Sequence, residues 1–326
     1  MPYKANLTKQ HHIKKHTYRQ SHYSDYNKAL KNRGRIDIWI SDDILACWQD
    51  EKRIHDGTGS SVKYPNSTIE ACHYLRMVFK FPLRQTQGFV ENILEMLGLE
   101  TLQCPDYTLL SKRLSQLGFK TPKFKKDEKA DDDIVAIAID STGLKRFGKD
   151  EWHQEKHKVN AKRSWRKAHL AVVSNHLIQS AVLTHKNVMD DQVVDSLCTQ
   201  ITKPVTHITA DKMYDTDAVF ETLDAYFPLA NIVIPPKDNT FADEGHHPKR
   251  MTNLISYFAL GVTRWQRFKY YGRRNVSETA MQRYKTIIGP KLHSRKFNNQ
   301  QQEMLIGCSI LNRFTQLGMP SSFRVA

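Results

Sequence analysis

Apolar residues recur at intervals of three and four between residues 36 and 118, which is the spacing of one face of a helix. Pro82 and Gly98 interrupt this pattern, and Asp106 stands where it can cap a helix. The segment is therefore predicted to form a small all-helical unit with three successive helices. Their apolar positions are Ile69, Cys72, Leu75 and Phe79, then Phe89, Ile93, Leu94 and Leu97, then Leu109, Leu110, Leu114 and Leu117.

Short apolar runs of the kind that form buried strands replace the helical pattern farther along the chain. Residues 134–139 are apolar and partly β-branched, and Asp140 ends the run. Further strands are predicted at 167–174, 177–185, 205–210 and 232–235, with helices at about 190–201, 216–226, 251–261 and 277–288. Adjacent strands followed by strand–helix alternation predict an α/β domain with a mixed sheet.

These patterns predict a two-domain chain with three connecting or terminal segments. Residues 1–35 are polar and basic without a sustained apolar period, which favours a largely flexible arm. The predicted helical domain covers 36–120, a charged linker covers 121–133, the α/β domain covers 134–318, and 319–326 form a tail.

The charge points to a polyanionic partner. The 326 residues are 40% hydrophobic, as in ordinary folded proteins, but 49 lysines and arginines against 34 acids leave a net charge of +15. Residues 1–35 hold nine of these cations and one acid, and residues 264–296 hold ten and one. Two such concentrated blocks favour contact with nucleic acid over a role in solubility alone. In the second block, Trp265 between Arg264 and Arg267 is either a core residue or a surface on which a base stacks.

Several classes of protein do not fit the sequence. No apolar run is long enough to span a bilayer and no apolar leader begins the chain, so we expect a cytoplasmic protein without membrane contact. The five cysteines are scattered, which favours neither a disulfide framework nor a cysteine zinc site. His153 and His157 lack the order of a zinc hydrolase motif, so a surface role or a DNA contact is favoured for them.

The helical unit is compatible with a helix-turn-helix module that binds DNA. In such a module the last helix presents its N-terminal side chains to the DNA. Many three-helix bundles bind no DNA, so the pattern alone leaves this role open. The residues that the last helix would present are Tyr107, Thr108, Ser111, Lys112 and Arg113.

Two carboxylates follow predicted strands directly. Asp140 ends the run 134–139, and Asp211 ends the run 205–210. In α/β sheets the functional crevice lies at the carboxyl ends of strands, so both residues can belong to one site. Taken singly, each aspartate is better explained by turn formation or helix capping.

A third acidic residue belongs to a spaced series. Tyr271, Arg274, Glu278 and Lys285 are separated by three, four and seven positions, and on one continuous helix they would share a face within about 60°. Arg274 and Glu278 at i and i+4 could form a solvated ion pair. Alternatively, the face lines an active site, with Glu278 as a metal ligand and the cations on phosphates. The spacing alone does not decide between them.

Three carboxylates among cations suit chemistry at a phosphodiester. Two Mg²⁺ ions about 4 Å apart need hard oxygen ligands, and together they activate an attacking hydroxyl and stabilise the departing oxygen. Asp140, Asp211 and Glu278 meet that requirement, and surrounding cations would hold the DNA backbone.

Several motifs resemble those of bacterial insertion-sequence transposases of the DDE type. They are Ala138-Ile-Asp140-Ser-Thr-Gly-Leu-Lys145 with Trp152, the segment Ala210-Asp211-Lys-Met-Tyr214-Asp215-Thr216, and the full Tyr271, Arg274, Glu278 and Lys285 signature. In the helical region, Phe81-Pro-Leu-Arg-Gln-Thr-Gln-Gly-Phe89 and Pro105-Asp-Tyr-Thr-Leu-Leu-Ser111 look like the DNA-binding region of that group. The resemblance covers about residues 30–315. One departure is Lys212-Met213, where related sequences often have small residues, so the shape of this loop is not carried over.

The resemblance implies a ribonuclease H-like catalytic fold with Asp140 on its first strand, Asp211 just after its fourth and Glu278 on a late helix. It also implies hydrolysis at transposon ends with Mg²⁺, or with Mn²⁺, followed by joining of the freed 3′-hydroxyl to target DNA. Tyr271, Arg274 and Lys285 would then handle DNA near the cleaved end. The implied partners are double-stranded DNA and further copies of the chain, as a homodimer or higher multimer, at the bacterial nucleoid. A catalytically inactive DNA-binding derivative and a nuclease that only hydrolyses DNA are the alternatives.

Overall fold

The computed structural model of the protein describes residues 17–49, 64–123, 135–146, 165–241, 243 and 245–325. The chain divides into two units, one made of residues 36–313 and the other of residues 1–35 with 314–326. Residues 1–16, the linker from 124 to 133, and the segment with Trp152, His153 and His157 lie outside the described residues.

The predicted helices and strands occur in the predicted order. In chain order the described elements are β1 Thr17–Gln20, α1 Tyr23–Asn32, α2 Asp42–Ala46, α3 Asn66–Val78, α4 Leu83–Met96, α5 Tyr107–Arg113, β2 Val135–Lys145, β3 Trp165–Val173, β4 Ile178–His185, α6 Val194–Cys198, β5 Val205–Ala210, α7 Asp217–Tyr226, β6 Asn231–Val233, α8 Pro248–Leu260, α9 Val262–Phe268, α10 Asn275–Arg283, α11 Phe297–Leu317 and β7 Ser322–Val325. Of these elements, β1, α1, α2, α9, α11 and β7 were not predicted.

Helices α3, α4 and α5 lie on the three predicted helical segments and pack on one another. Most of their predicted apolar positions are buried, with Ile69, Leu75 and Leu110 fully inaccessible to solvent, but Leu97 at the end of α4 is 56% exposed. Asp106 caps α5 by accepting a hydrogen bond of 2.8 Å from the Thr108 amide. Gly98 follows α4 at φ +69°, a left-handed conformation that favours glycine and ends the helix.

The five-stranded sheet has the order β4-β3-β2-β5-β6 and mixes both pairing types. Strands β2, β3 and β4 pair antiparallel, whereas β2 with β5 and β5 with β6 pair parallel. The predicted mixed α/β fold is therefore confirmed. One face of the sheet is covered by α6 and α7, and its core includes Ile139, Leu197, Ile208 and Phe220. Helix α10 packs against β2 and β3.

Strand β2 is longer than predicted. Asp140 lies inside it rather than at its end, because the polar residues that follow pair antiparallel with β3 as far as Lys145 opposite Trp165. The parallel pairing with β5 nevertheless ends at Ile139 opposite Ala210. Asp140 therefore still marks the carboxyl end of the parallel pair.

The segment from Tyr271 to Lys285 is helical throughout but changes helix type, so it is not the single regular helix for which the shared face was predicted. A 3₁₀ turn covers Tyr271–Arg274, α10 follows, and a π-helical turn covers Tyr284–Ile288. Each change of helix type alters the angle between successive residues, so the arc of about 60° expected for one α-helix does not apply to this segment.

The smaller unit is partly ordered, unlike the flexible arm that the composition of 1–35 favours. Strand β1 pairs antiparallel with β7, joining the basic segment to the predicted tail. Helix α1 follows β1, and the Arg33 guanidinium donates to the Gly318 carbonyl at 2.9 Å. A partner about 300 residues away leaves no local sequence pattern, which explains why composition alone did not predict the strand.

None of the helices within the described residues is long and apolar enough to cross a membrane.

Candidate active site

Asp140 is anchored at the centre of the sheet. Its Oδ1 accepts a hydrogen bond of 2.8 Å from the Ser141 amide. Its Oδ2 accepts from Arg274 Nη1 at 2.8 Å and from Ser277 Oγ at 3.4 Å. Only 14% of the side chain is exposed, so this carboxylate is held in a fixed orientation beside the adjacent strand end.

Asp211 follows β5 directly, on the strand that pairs parallel with β2. Its carboxylate caps the short 3₁₀ turn Lys212–Tyr214 by accepting from the Lys212 amide. The unusual Lys212-Met213 pair fits this turn, because Lys212 Nζ pairs with Asp238 at 3.0 Å and the Met213 side chain is half exposed. The loop after Asp211 is therefore a regular turn, despite the departure from small residues.

Arg274 connects Asp140 to Glu278, which stands in the first turn of α10. One guanidinium nitrogen donates to Asp140 and the other to the Glu278 carboxylate. The i,i+4 ion pair and the active-site face were alternatives in the sequence. In the structure the ion pair itself lies at the carboxylate site, and the Glu278 side chain keeps 55% of its surface exposed.

The three carboxylates act on one another electrostatically. Burial raises the pKa of Asp140 above its ordinary value, and the negative charges of Asp211 and Glu278 act in the same direction. The Ser141 amide and Arg274 oppose that shift. Burial also raises the pKa of Tyr271 to about 12, with a further contribution from the same three carboxylates. All three acids are thus close enough to influence the same groups.

A fourth carboxylate, Asp190, adjoins this site and was missed in the sequence. It accepts from Lys167 Nζ at 3.0 Å and from Ser141 Oγ at 3.1 Å, and Ser141 is the neighbour of Asp140. The buried His169 ring lies 3.7 Å from it. Asp190 lies five residues beyond the predicted strand 177–185, whereas Asp140 and Asp211 follow their runs directly, so the strand-end rule did not reach it.

Two family models, both described as a transposase DDE domain, match the chain over residues 31–149 and 131–313. The second alone covers more than half of the chain and contains Asp140, Asp211 and Glu278. The chain belongs to this family of transposases.

Two solved structures share a weak likeness with the transposase. The piggyBac transposase synaptic complex with hairpin DNA has 9% identity and a TM-score of 0.37, covering 87% of this chain and 75% of that one. The Drosophila P element transposase strand transfer complex has 12% identity and a TM-score of 0.30, with coverage of 84% and 70%. TM-scores this low do not by themselves establish a shared fold.

The donor chemistry of the site suits a hard divalent cation, because Asp140, Asp211 and Glu278 offer carboxylate oxygens. A cation would also offset the burial, and the smaller repulsion from Asp211 and Glu278, that raise the pKa of Asp140. Within the described part of the transposase, no three or more His, Cys, Asp or Glu side chains stand together as a ready metal centre. The Arg274 guanidinium contacts two of the three acids, Asp140 and Glu278.

Of the predicted DNA-handling residues, Tyr271 contacts the site and, within the described part of the chain, Lys285 does not. Tyr271 packs beside Arg274, with the guanidinium carbon 5.9 Å from the ring centre. Lys285 lies in the π-helical turn with an exposed side chain, and no hydrogen bond or ion pair joins it to the three acids among the described residues. Trp265 is fully buried against Tyr257 and Tyr271, so it is a core residue and offers no surface to a base.

The predicted recognition helix α5 uses several of its polar residues internally. Arg113 donates to the Tyr64 carbonyl at 3.1 Å and to Asn66 Oδ1 at 2.8 Å. Thr108 is bound to its capping Asp106, and the Tyr107 ring lies under Arg84. The two remaining predicted residues, Ser111 and Lys112, have exposed side chains.

Proposed function

We propose that this transposase binds the ends of a mobile DNA element, hydrolyses a phosphodiester bond there and joins the freed 3′-hydroxyl to target DNA. The observation that carries the proposal is that Arg274 joins Asp140 on β2 to Glu278 on α10, while Asp211, directly after β5, is close enough to affect the pKa of Asp140. Membership of the DDE transposase family supports this assignment of the acids.

A ribonuclease H-like catalytic fold is part of the proposal. Three antiparallel strands continue into two parallel ones. Asp140 lies on the first strand of this sheet, Asp211 directly after the fourth, and Glu278 on a later helix that packs against the sheet. These are the three placements that the resemblance to insertion-sequence transposases implies.

Asp140, Asp211 and Glu278 would hold two Mg²⁺ ions, or Mn²⁺. When bound, such ions supply a hydroxide nucleophile and stabilise the oxygen that leaves the phosphorus. The chain contributes the ionised carboxylates and their fixed orientation. Ser141 and Asp190 add a supporting layer, because the Ser141 amide holds Asp140 while its hydroxyl is held by Asp190.

Arg274 is the residue that would exchange partners during the reaction. Its guanidinium has the fork geometry that matches two oxygens of a phosphate. If Asp140 and Glu278 held metal ions, the Arg274 fork would be available to bind the DNA backbone near the scissile bond. Tyr271 packs beside Arg274 and would orient it, and Lys285 would reach a phosphate farther from the carboxylates.

The implied partners are double-stranded DNA, at element ends and at the target, and further copies of the chain that bring two ends together. The helical segment 36–120 would bind the element ends. A bacterial insertion sequence as the source, and a cytoplasmic location at the nucleoid, complete the proposal.

The deciding experiment is cleavage of DNA carrying the sequences that flank the gene, with Mg²⁺ present, comparing wild type with Asp211→Asn. We expect nicks at a repeat boundary from wild type alone, and joined products when target DNA is added. Cleavage without joined product would identify a nuclease that only hydrolyses DNA. Tight end binding with no cut by either protein would identify a catalytically inactive DNA-binding derivative.

A further inference from the structure

A basic cleft separates helix α5 from the segment 291–296, which precedes α11. It consists of a pocket of about 430 Å³ and a second of about 620 Å³. Both are lined by Arg76, Leu83, His293 and Arg295, so the two pockets are continuous. The cleft lies entirely within the 36–313 unit.

Cations line both walls of this cleft. Lys112 stands on the α5 wall and Lys296 on the opposite wall, each with an exposed side chain, and Lys80 lines the far end. Among the described lining residues the one carboxylate is Glu303, which is 3% exposed. The field in the cleft is therefore positive, which attracts an extended anion.

The Glu303 carboxylate mainly positions the backbone of one wall of the cleft and leaves the positive charge of the cleft largely unneutralised. Its two oxygens accept hydrogen bonds of 2.8 Å from the amides of His293 and Ser294. Both contacts fix the backbone of the loop that carries Arg295 and Lys296. Because the carboxylate is buried behind that loop, the exposed ammonium groups still face solvent and any ligand there.

The walls are held at a fixed separation. Asn299 Nδ2 donates to the Ser111 carbonyl at 3.2 Å, joining α11 to α5. His73 closes the floor, with Nε2 at 3.1 Å from the Leu110 carbonyl. Burial lowers the pKa of His73 to about 3, so this ring is neutral and the positive charge belongs to the arginines and lysines. A preformed cleft loses little entropy on binding.

We infer that this cleft binds the sugar–phosphate backbone of duplex DNA, with Lys112 and Lys296 contacting phosphates from opposite walls. Ser111 and Lys112 then position the DNA rather than read its bases, because α5 borders a cleft on this side and Arg113 is engaged on another. The inference rests on the proposed function only in taking DNA as the partner.

The salt dependence of binding tests the inference, since each phosphate contact adds about 0.9 to the slope of log K against log salt concentration. The probe is a short duplex of arbitrary sequence, measured by fluorescence anisotropy with divalent metal omitted. In Lys112→Gln/Lys296→Gln we expect the slope to fall by about 1.8, with affinity near physiological salt lower by roughly tenfold or more. The loss should be equal for arbitrary and element-end DNA.

The matched control is Lys112→Arg/Lys296→Arg, which alters both side chains but keeps both charges and should keep the wild-type slope. Circular dichroism checks that all variants are folded. A wild-type salt slope in the double glutamine variant would overturn the inference. A loss of affinity confined to element-end DNA would also overturn it, because Lys112 would then read bases. Normal binding without metal-dependent cleavage would refute the proposed function and leave the cleft assignment standing. Wild type that binds no duplex would refute both.

Discussion

Replacing Arg250 should destabilise the transposase through one buried ion pair. The Arg250 side chain is 8% exposed and that of Asp215 is 2% exposed. Arg250 Nε donates to Asp215 Oδ1 at 2.8 Å, and Nη2 donates to Oδ2 at 3.2 Å. Asp215 Oδ2 also accepts from the Lys237 amide at 3.0 Å. Arg250→Met would leave this carboxylate buried without its cation.

The expected loss in the free energy of unfolding is about 3–5 kcal/mol, the usual cost of leaving one partner of a buried pair uncompensated. Asp215→Asn combined with Arg250→Met removes both charges, so most of that loss should be recovered. Asp217 provides a matched control, because it also pairs with Arg250 but is 34% exposed. Asp217→Asn should cost no more than about 1 kcal/mol.

Urea unfolding followed by circular dichroism measures five proteins: wild type, Arg250→Met, Asp215→Asn, their double variant and Asp217→Asn. The reasoning would be refuted if Arg250→Met lost less than about 1 kcal/mol, or if the double variant were as unstable as the sum of the two single ones. Asp215 lies four residues after Asp211, so the same pair holds the chain that leaves the candidate active site. Reduced DNA cleavage should therefore accompany the loss of stability.

Three further predictions concern the carboxylates, the last helix and the helical segment. Glu278→Gln should abolish DNA cleavage and leave end binding unchanged in a mobility-shift assay; persistent cleavage would remove Glu278 from the metal site. In Gly307→Ala the added Cβ would lie 2.7 Å from the buried Tyr284 ring. This overlap should lower the free energy of unfolding, measured by thermal unfolding, by about 1–3 kcal/mol, although alanine is favoured over glycine in a helix by up to about 1 kcal/mol. Below about pH 6.5 the His73 ring takes up a proton in the unfolded chain, whereas burial keeps it neutral in the folded protein until the pH approaches 3. The free energy of unfolding is therefore unaffected by His73 protonation above pH 6.5 and falls progressively as the pH is lowered from 6.5 towards 3. His73→Gln should make the fall in stability between pH 6.5 and about pH 4.5 shallower by about 2 kcal/mol, and an unchanged slope would contradict the burial argument.

The fold could be predicted wherever the determining contacts were local or the apolar run was long. The period of three and four residues located α3, α4 and α5, and the β-branched run located β2. The extension of β2 through Ser141 and Thr142 was not predictable, because those polar residues owe their strand conformation to pairing with β3. The pairing of β1 with β7 depended likewise on a partner near the other end of the chain.

Arg113 shows that a sequence motif can place a residue on a helix without showing what its side chain contacts. Its position on α5 suited DNA recognition, but the sequence does not show which side of a short helix packs inward. The guanidinium instead donates to the Tyr64 carbonyl and Asn66, where it joins α5 to the start of α3. An arginine can satisfy a buried carbonyl as readily as a phosphate, since both are oxygen acceptors. The neighbouring Lys112 keeps its charge exposed because its side chain leaves the other side of the helix.

Arg274 shows why only part of the candidate site could be predicted from the sequence. Its contact with Glu278 is local, four residues along one turn, and spacing predicts it directly. Its contact with Asp140 spans 134 positions and requires the sheet to place β2 beneath α10. The spacing could therefore suggest either a surface ion pair or an active-site face, and could not show that one guanidinium serves both. Once the fold joins them, one guanidinium balances the charges of two of the three acids.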